Sequence, residues 1–162
     1  MSIEIIILCV FFLTLAGIAL FYRKSTLDKL APLPGETVLW EESGVDVTQV
    51  GAPRTAFFHS CVVRLTDRRV IIAQKVPLTR KTHYLRAVIE HSSANPDTDL
   101  GSTLRRGYLT FSVGENEIEL SPTGSGLTVK IYIPHSTLTR HQRLEFTLRH
   151  GDEYYRLFGN DG

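Results

Sequence analysis

Residues Ile3 to Tyr22 form an almost unbroken apolar run, which Arg23 and Lys24 end abruptly. At ~1.5 Å of rise per residue, a helix of this length matches the ~30 Å hydrocarbon core of a bilayer, so the run predicts a transmembrane helix over 3–22. The chain beyond it, about 140 residues, then has to fold as a separate unit on one side of that membrane. A cleavable signal peptide carries positive charge ahead of its apolar core, whereas here only Ser2 and Glu4 stand at that end. Glu4 near the start of an apolar helix also suggests a pilin-type segment, but no basic, Gly-terminated leader precedes it. As the end of an anchor, Glu4 sits in the interfacial layer, where its carboxylate stays hydrated.

Basic residues flanking a span remain on the cytoplasmic side. Arg23, Lys24 and Lys29 all follow the run and none precedes it, which predicts an N-terminus outside and a cytoplasmic C-terminal domain. Of the two cysteines, Cys9 lies inside the run and Cys61 in the domain, so they do not form the disulfide framework of a secreted module. Cys9 reads as a small apolar filler, mid-span rather than at the juxtamembrane positions that palmitoylation favours. Residues 23–35 read as a linker, because Pro32, Pro34 and Gly35 favour extended backbone and a turn over continued helix.

From Glu36 to the C-terminus, short alternating or apolar runs are separated by polar, Gly- or Pro-containing breaks, the pattern of an antiparallel β domain over 36–162. Strands are expected near Thr37–Glu42, Val45–Val50, Ala56–Leu65, Arg69–Lys75, Tyr84–His91, Gly107–Val113, Glu117–Leu120, Leu127–Ile133 and Leu144–Arg149. Turns are expected at Thr66-Asp67-Arg68 and Gly114-Glu115-Asn116, and a longer connection at Pro122–Gly126. Ser92–Ser102 reads as a long polar loop. Beyond Gly151, a short helix Asp152–Phe158 with Tyr155 and Phe158 on one face competes with a hairpin turn at His150-Gly151-Asp152. Leu65, Val70, Ile72, Phe111, Ile131 and Phe146 take the inward phase of separate strands and form the expected core. A domain of this size buries enough surface for one core without metals or disulfides.

Pro34-Gly35-Glu36-Thr37-Val38-Leu39-Trp40, followed later by Cys61-Val62-Val63-Arg64-Leu65-Thr66-Asp67-Arg68-Arg69-Val70-Ile71-Ile72, resembles the opening of bacterial pleckstrin-homology-like and GRAM-type domains. In those families an acidic residue leads into the first strand, and a hairpin with a Leu-Thr-x-Arg-Arg-apolar phrase supplies the next two. Lys75-Val76-Pro77-Leu78 is similar to the connection that often follows. The resemblance covers about 50 residues. It implies a bent antiparallel sheet or split barrel of about seven strands or more, capped by a C-terminal helix. No clear phosphoinositide-binding Lys/Arg pattern crosses the first hairpin, so the ligand is not implied with the fold.

Charge is unevenly spread although the whole chain carries a formal net of only +1. Residues 64–106 hold nine basic side chains against four acidic ones, an excess of +5. Beside an anchor, such a region can lie against anionic headgroups, each nearby cation contributing about 1 kcal/mol. Arg68, Arg69, Arg80, Lys81, Arg105 and Arg106 are the candidate binding residues. The competing readings are a solvated, edge-protecting face and an acidic protein partner. A nucleic-acid ligand is not expected, since the domain is near neutral and its aromatics, such as Tyr108 and Phe111, alternate into the expected core.

Catalytic and metal-binding patterns are weak. His59 and Cys61 alternate on one strand, where a shared core or solvent face is the simpler reading than a base beside its nucleophile. His135, His141 and His150 fit no zinc spacing. Glu117 and Glu119 read as the solvent face of an edge strand, and Gly124-Ser125-Gly126 is too short to cradle phosphate. The expectation is a non-catalytic interaction module without a cofactor, binding a protein or anionic lipid at the cytoplasmic membrane surface. The alternative is an accessory subunit of a larger membrane complex, its anchor packed through Ala16, Gly17 and Ala19.

Overall fold

The computed structural model describes residues 5, 7–14, 26–51, 55–75, 82–91, 107–124, 126–133, 142–151 and 154. Residues 5 and 7–14 are helical. No helix among the described residues is long and apolar enough to cross a membrane, and the rest of the 3–22 run lies outside them.

The β domain is one curled sheet. Its described strands are β1 (Val38–Val50), β2 (Ala56–Thr66), β3 (Arg69–Lys75), β4 (His83–His91), β5 (Leu109–Val113), β6 (Ile118–Thr123), β7 (Gly126–Tyr132) and β8 (Arg143–Leu148). They lie side by side in the order β5-β4-β3-β2-β1-β8-β7-β6. Strand β1 joins the two halves: it pairs with β2 along its length and, over Val47–Val50, with β8 on its other side. Thr37–Glu42 and Val45–Val50, expected as two strands, are therefore one. The break between them is Gly44, whose φ of +77° accommodates an extra residue opposite β2 and bends the strand without ending it.

Alternation decides the packing. Inward residues from both outermost strands, Phe111 and Val113 of β5 with Ile118 and Leu120 of β6, join the same apolar cluster. A sheet whose two edges share one core has curled into a half-barrel. Leu65, Val70, Ile72, Phe111, Ile131 and Phe146, the six expected core residues, are all buried in that cluster. Tyr154, in a helical position and fully buried, packs there too, whereas the expected helix face, Tyr155 and Phe158, lies outside the described residues.

A second, smaller cluster lies on the opposite face of β2, β3 and β4. Val62, Ile71, Ala73, Leu85 and Val88 are buried there beneath Leu27, with Leu30 and Tyr108 packed alongside. Tyr108 and Phe111 thus serve opposite faces of the sheet.

The expected antiparallel pairing fails at one edge of the sheet. β4 and β5 run parallel, with Ala87 opposite Leu109 and His91 opposite Val113. A parallel neighbour requires the chain to travel back along the strand before re-entering, and the stretch between His91 and Leu109, which includes the polar Ser92–Ser102 segment, is long enough to do so. That segment itself lies outside the described residues. At the other edge, Pro122 is tolerated inside β6 because an edge strand needs no donor on its open side. The expected long connection at Pro122–Gly126 is instead a tight hairpin in which Thr123 pairs with Gly126.

Candidate functional site

The residues that lead into the domain do not form a free leash. Thr26 makes an antiparallel bridge to Tyr84, and Leu27, in the 3-10 turn Leu27–Lys29, is buried against the outer face of the sheet. The chain then runs along β3 to a turn at Leu33–Glu36, where the Glu36 N–H donates to the Leu33 carbonyl (2.9 Å) and Gly35 takes a φ of +74°. A Pro-Gly pair suits the middle of such a turn. The segment expected as a linker is, over 26–35, a strap docked on the sheet.

The strap is fastened by charge. Arg69 Nε and Nη2 donate to the two oxygens of Glu36, each at 2.6 Å, and Nη2 also donates to the Ala31 carbonyl at 2.9 Å. The Thr66 hydroxyl donates to Glu36 Oε1 and the Leu33 N–H to Oε2, both at 2.8 Å. The two side chains are only 6% and 3% exposed. Burial pushes the Glu36 carboxyl up, but the hydrogen bonds from Arg69, Leu33 and Thr66 outweigh it and hold the group at about 2. The acidic residue before the first strand and the Thr-x-x-Arg phrase of the hairpin, two separate pieces in the sequence, are thus one buried network. No local pattern announces it, because Glu36 and Arg69 are 33 residues apart.

This placement rearranges the expected basic surface. Arg69 is buried and engaged with Glu36, so it presents no charge to a ligand. Arg68 is exposed at the β2–β3 turn. Arg80, Lys81, Arg105 and Arg106 lie outside the described residues. Of the other cations in the region, Arg64 pairs with Glu41 (2.6 Å), and Arg86 donates to Gln74 Oε1 and lies 4.9 Å from the centre of the Phe58 ring. Lys75 is exposed. Among the described residues of this region the two exposed cations, Arg68 and Lys75, stand at opposite ends of β3, separated by roughly 20 Å of strand, and do not share a patch with each other.

His59 and Cys61 are not neighbours on one face. β2 carries an extra residue here, since Val45 opposes Cys61 but Val47 opposes Phe58, and Ser60 adopts a φ of +54°. The bulge turns His59 out to solvent and Cys61 into the core, where burial pushes its thiol up to about 12. Asp46 holds the bulge: its Oδ1 accepts the Ser60 N–H at 3.1 Å, and its Oδ2 lies 3.4 Å from His59 Nδ1. These two contacts, the Ser60 N–H first, lower the Asp46 carboxyl. Buried as a protonated thiol, Cys61 is unsuited to nucleophilic attack.

A shallow groove of about 430 Å³ crosses the outer face of β1, β8 and β7 beside this bulge, lined by Glu42, Asp46, Thr48, Thr128, Glu145 and Thr147 among others. Glu42 is already engaged, accepting the Arg149 N–H at 3.0 Å and so tying the end of β8 to β1. Glu119, expected on the solvent face of an edge strand, is on the outermost strand β6 and accepts from Lys130 Nζ (2.6 Å) and the Tyr132 hydroxyl (2.8 Å). Glu117 differs: it ends the 3-10 turn Glu115–Glu117 and accepts the Gly114 N–H at 2.8 Å. Among the described residues no group of three or more His, Cys, Asp or Glu side chains is placed to hold a metal ion. Compared with models of known protein families the chain matches none, and no curated protein matches it.

Proposed function

We propose that the chain is a membrane-anchored, non-catalytic interaction module of the pleckstrin-homology-like type, held at the cytoplasmic surface to bind a protein or anionic lipid beside its own membrane. The observation that carries this reading is the docked strap. Only three residues separate Tyr22, the last of the apolar run, from Thr26, which is already fixed to the sheet. A domain joined so closely to an anchor has its working surface fixed relative to the bilayer. The pleckstrin-homology-like assignment is supported by the single bent sheet, by β1 serving both halves, and by the helical Tyr154 in the core, where a capping helix is expected.

The test uses the full chain in its membrane. It should resist carbonate extraction, and an Arg68→Cys variant should react with a membrane-impermeant maleimide only after the cells are permeabilised. Extraction by carbonate removes the anchor from the reading; labelling in intact cells reverses the orientation. Photo-crosslinking from exposed positions of the domain then identifies the bound class, protein or lipid. Stoichiometric copurification of a membrane protein in mild detergent favours the accessory-subunit alternative.

A further inference from the structure

We infer that the strap orients the domain so that the end carrying Lys75 and Phe57 faces the bilayer, while the β2–β3 turn with Arg68 points away from it. The inference rests on the anchored reading above and adds to it which surface meets the lipid. Thr26 bridges Tyr84, which pairs with Gln74; the next row, Lys75 opposite His83, is the end of β3 and β4. The docked chain then passes along β3 to Glu36 and Arg69, so the strap enters at one end of the strand and leaves at the other. Four peptide steps from Tyr22 to Thr26 reach at most ~14 Å, which keeps the Lys75 end within reach of the headgroups. The Arg68 turn lies farther off by the length of β3, roughly 20 Å, which exceeds the Debye length of about 8 Å at physiological ionic strength.

The chemistry of that end suits an interface. Lys75 is an exposed cation where anionic headgroups attract positive charge. β2 continues beyond Cys61, the partner of Gln74, to Phe57, which is 64% exposed. An aromatic ring held in the open is poorly placed in water and well placed at headgroup level. Burial of the Glu36–Arg69 pair keeps the strap from swinging the domain over, because releasing it would expose the second apolar cluster and separate a solvent-excluded ion pair.

The full chain, with Cys9→Ser, is reconstituted into vesicles of phosphatidylcholine and phosphatidylglycerol containing headgroup spin-labelled lipid. Single variants Lys75→Cys, Phe57→Cys and Arg68→Cys carry an environment-sensitive fluorophore; Cys61 is buried and stays unlabelled. Quenching should be at least three-fold greater at positions 75 and 57 than at 68. If Lys75→Cys fails to fold, the comparison of 57 with 68 decides alone. Equal quenching, or stronger quenching at 68, overturns the orientation and leaves the anchor standing. If the chain separates from the vesicles on flotation at alkaline pH, the anchored reading fails and takes this inference with it.

Discussion

Glu36 and Arg69 meet as a two-pronged ion pair, buried beneath the strap and shared with the hydroxyl of Thr66. The pair joins the entry to β1 with the β2–β3 turn, so it closes the domain and fixes the approach to the sheet at once. Removing one partner strands a charge away from water. Arg69→Ala should therefore lower stability by about 3–5 kcal/mol, whereas Glu36→Gln combined with Arg69→Met should lose clearly less. Denaturant titration of the full chain in mild detergent measures both. Equal losses would mean that the pair is solvated in solution.

Val70 and Ile72 face the shared core and are fully buried. Truncating either to Ala should cost about 1–4 kcal/mol, the range for core cavities. Phe57→Ala, at an exposed position, should stay within about 0.5 kcal/mol in the same titration. A near-zero loss at both core sites would place the β2–β3 hairpin on the wrong face.

Two backbone positions carry opposite expectations. Ser60 adopts a left-handed conformation that glycine takes without strain, so Ser60→Gly should raise stability by up to about 1 kcal/mol. Gly126 has a φ of +144°, and an added Cβ would lie 1.9 Å from the Leu148 carbonyl oxygen. Because that obstacle is backbone, Gly126→Ala should cost more than about 2 kcal/mol and disturb the β7–β8 pairing. Thermal melts of the two variants should move in opposite directions.

Burial pushes His91 down to about 4 from its ordinary 6.5. Between these values the unfolded chain binds a proton that the folded one refuses, so stability should fall as the pH drops from about 6.5 to about 4 and then level off for this group. Glu36, held at about 2, adds a second loss as the pH falls from about 4.5 towards 2. The first step amounts to a loss of about 3 kcal/mol at most, and His91→Asn should flatten it while leaving the acidic step in place. A variant with the wild-type profile between pH 7 and 4 would remove His91 as its source.

Period-two alternation and turn chemistry are local, and they made most of the strands, the Thr66-Asp67-Arg68 turn and the six core residues readable along the chain, because each requires only a few consecutive residues to agree. The apolar run ahead of the domain is legible for the same reason. Tertiary structure decided what depends on distant partners. Gly44 reads as a strand break in sequence, but pairing with β2 both before and after it carries β1 through. The parallel entry of β5 and the extra residue at Ser60, which sends His59 and Cys61 to opposite sides, are set by neighbouring strands. Arg69 shows the division most clearly: beside Arg68 it reads as half of an exposed basic pair, yet a carboxylate 33 residues away draws it inside. Side-chain charge is written in the sequence, but its exposure is a property of the packed chain, because a buried cation persists only where the fold brings it an anion and hydrogen-bond acceptors.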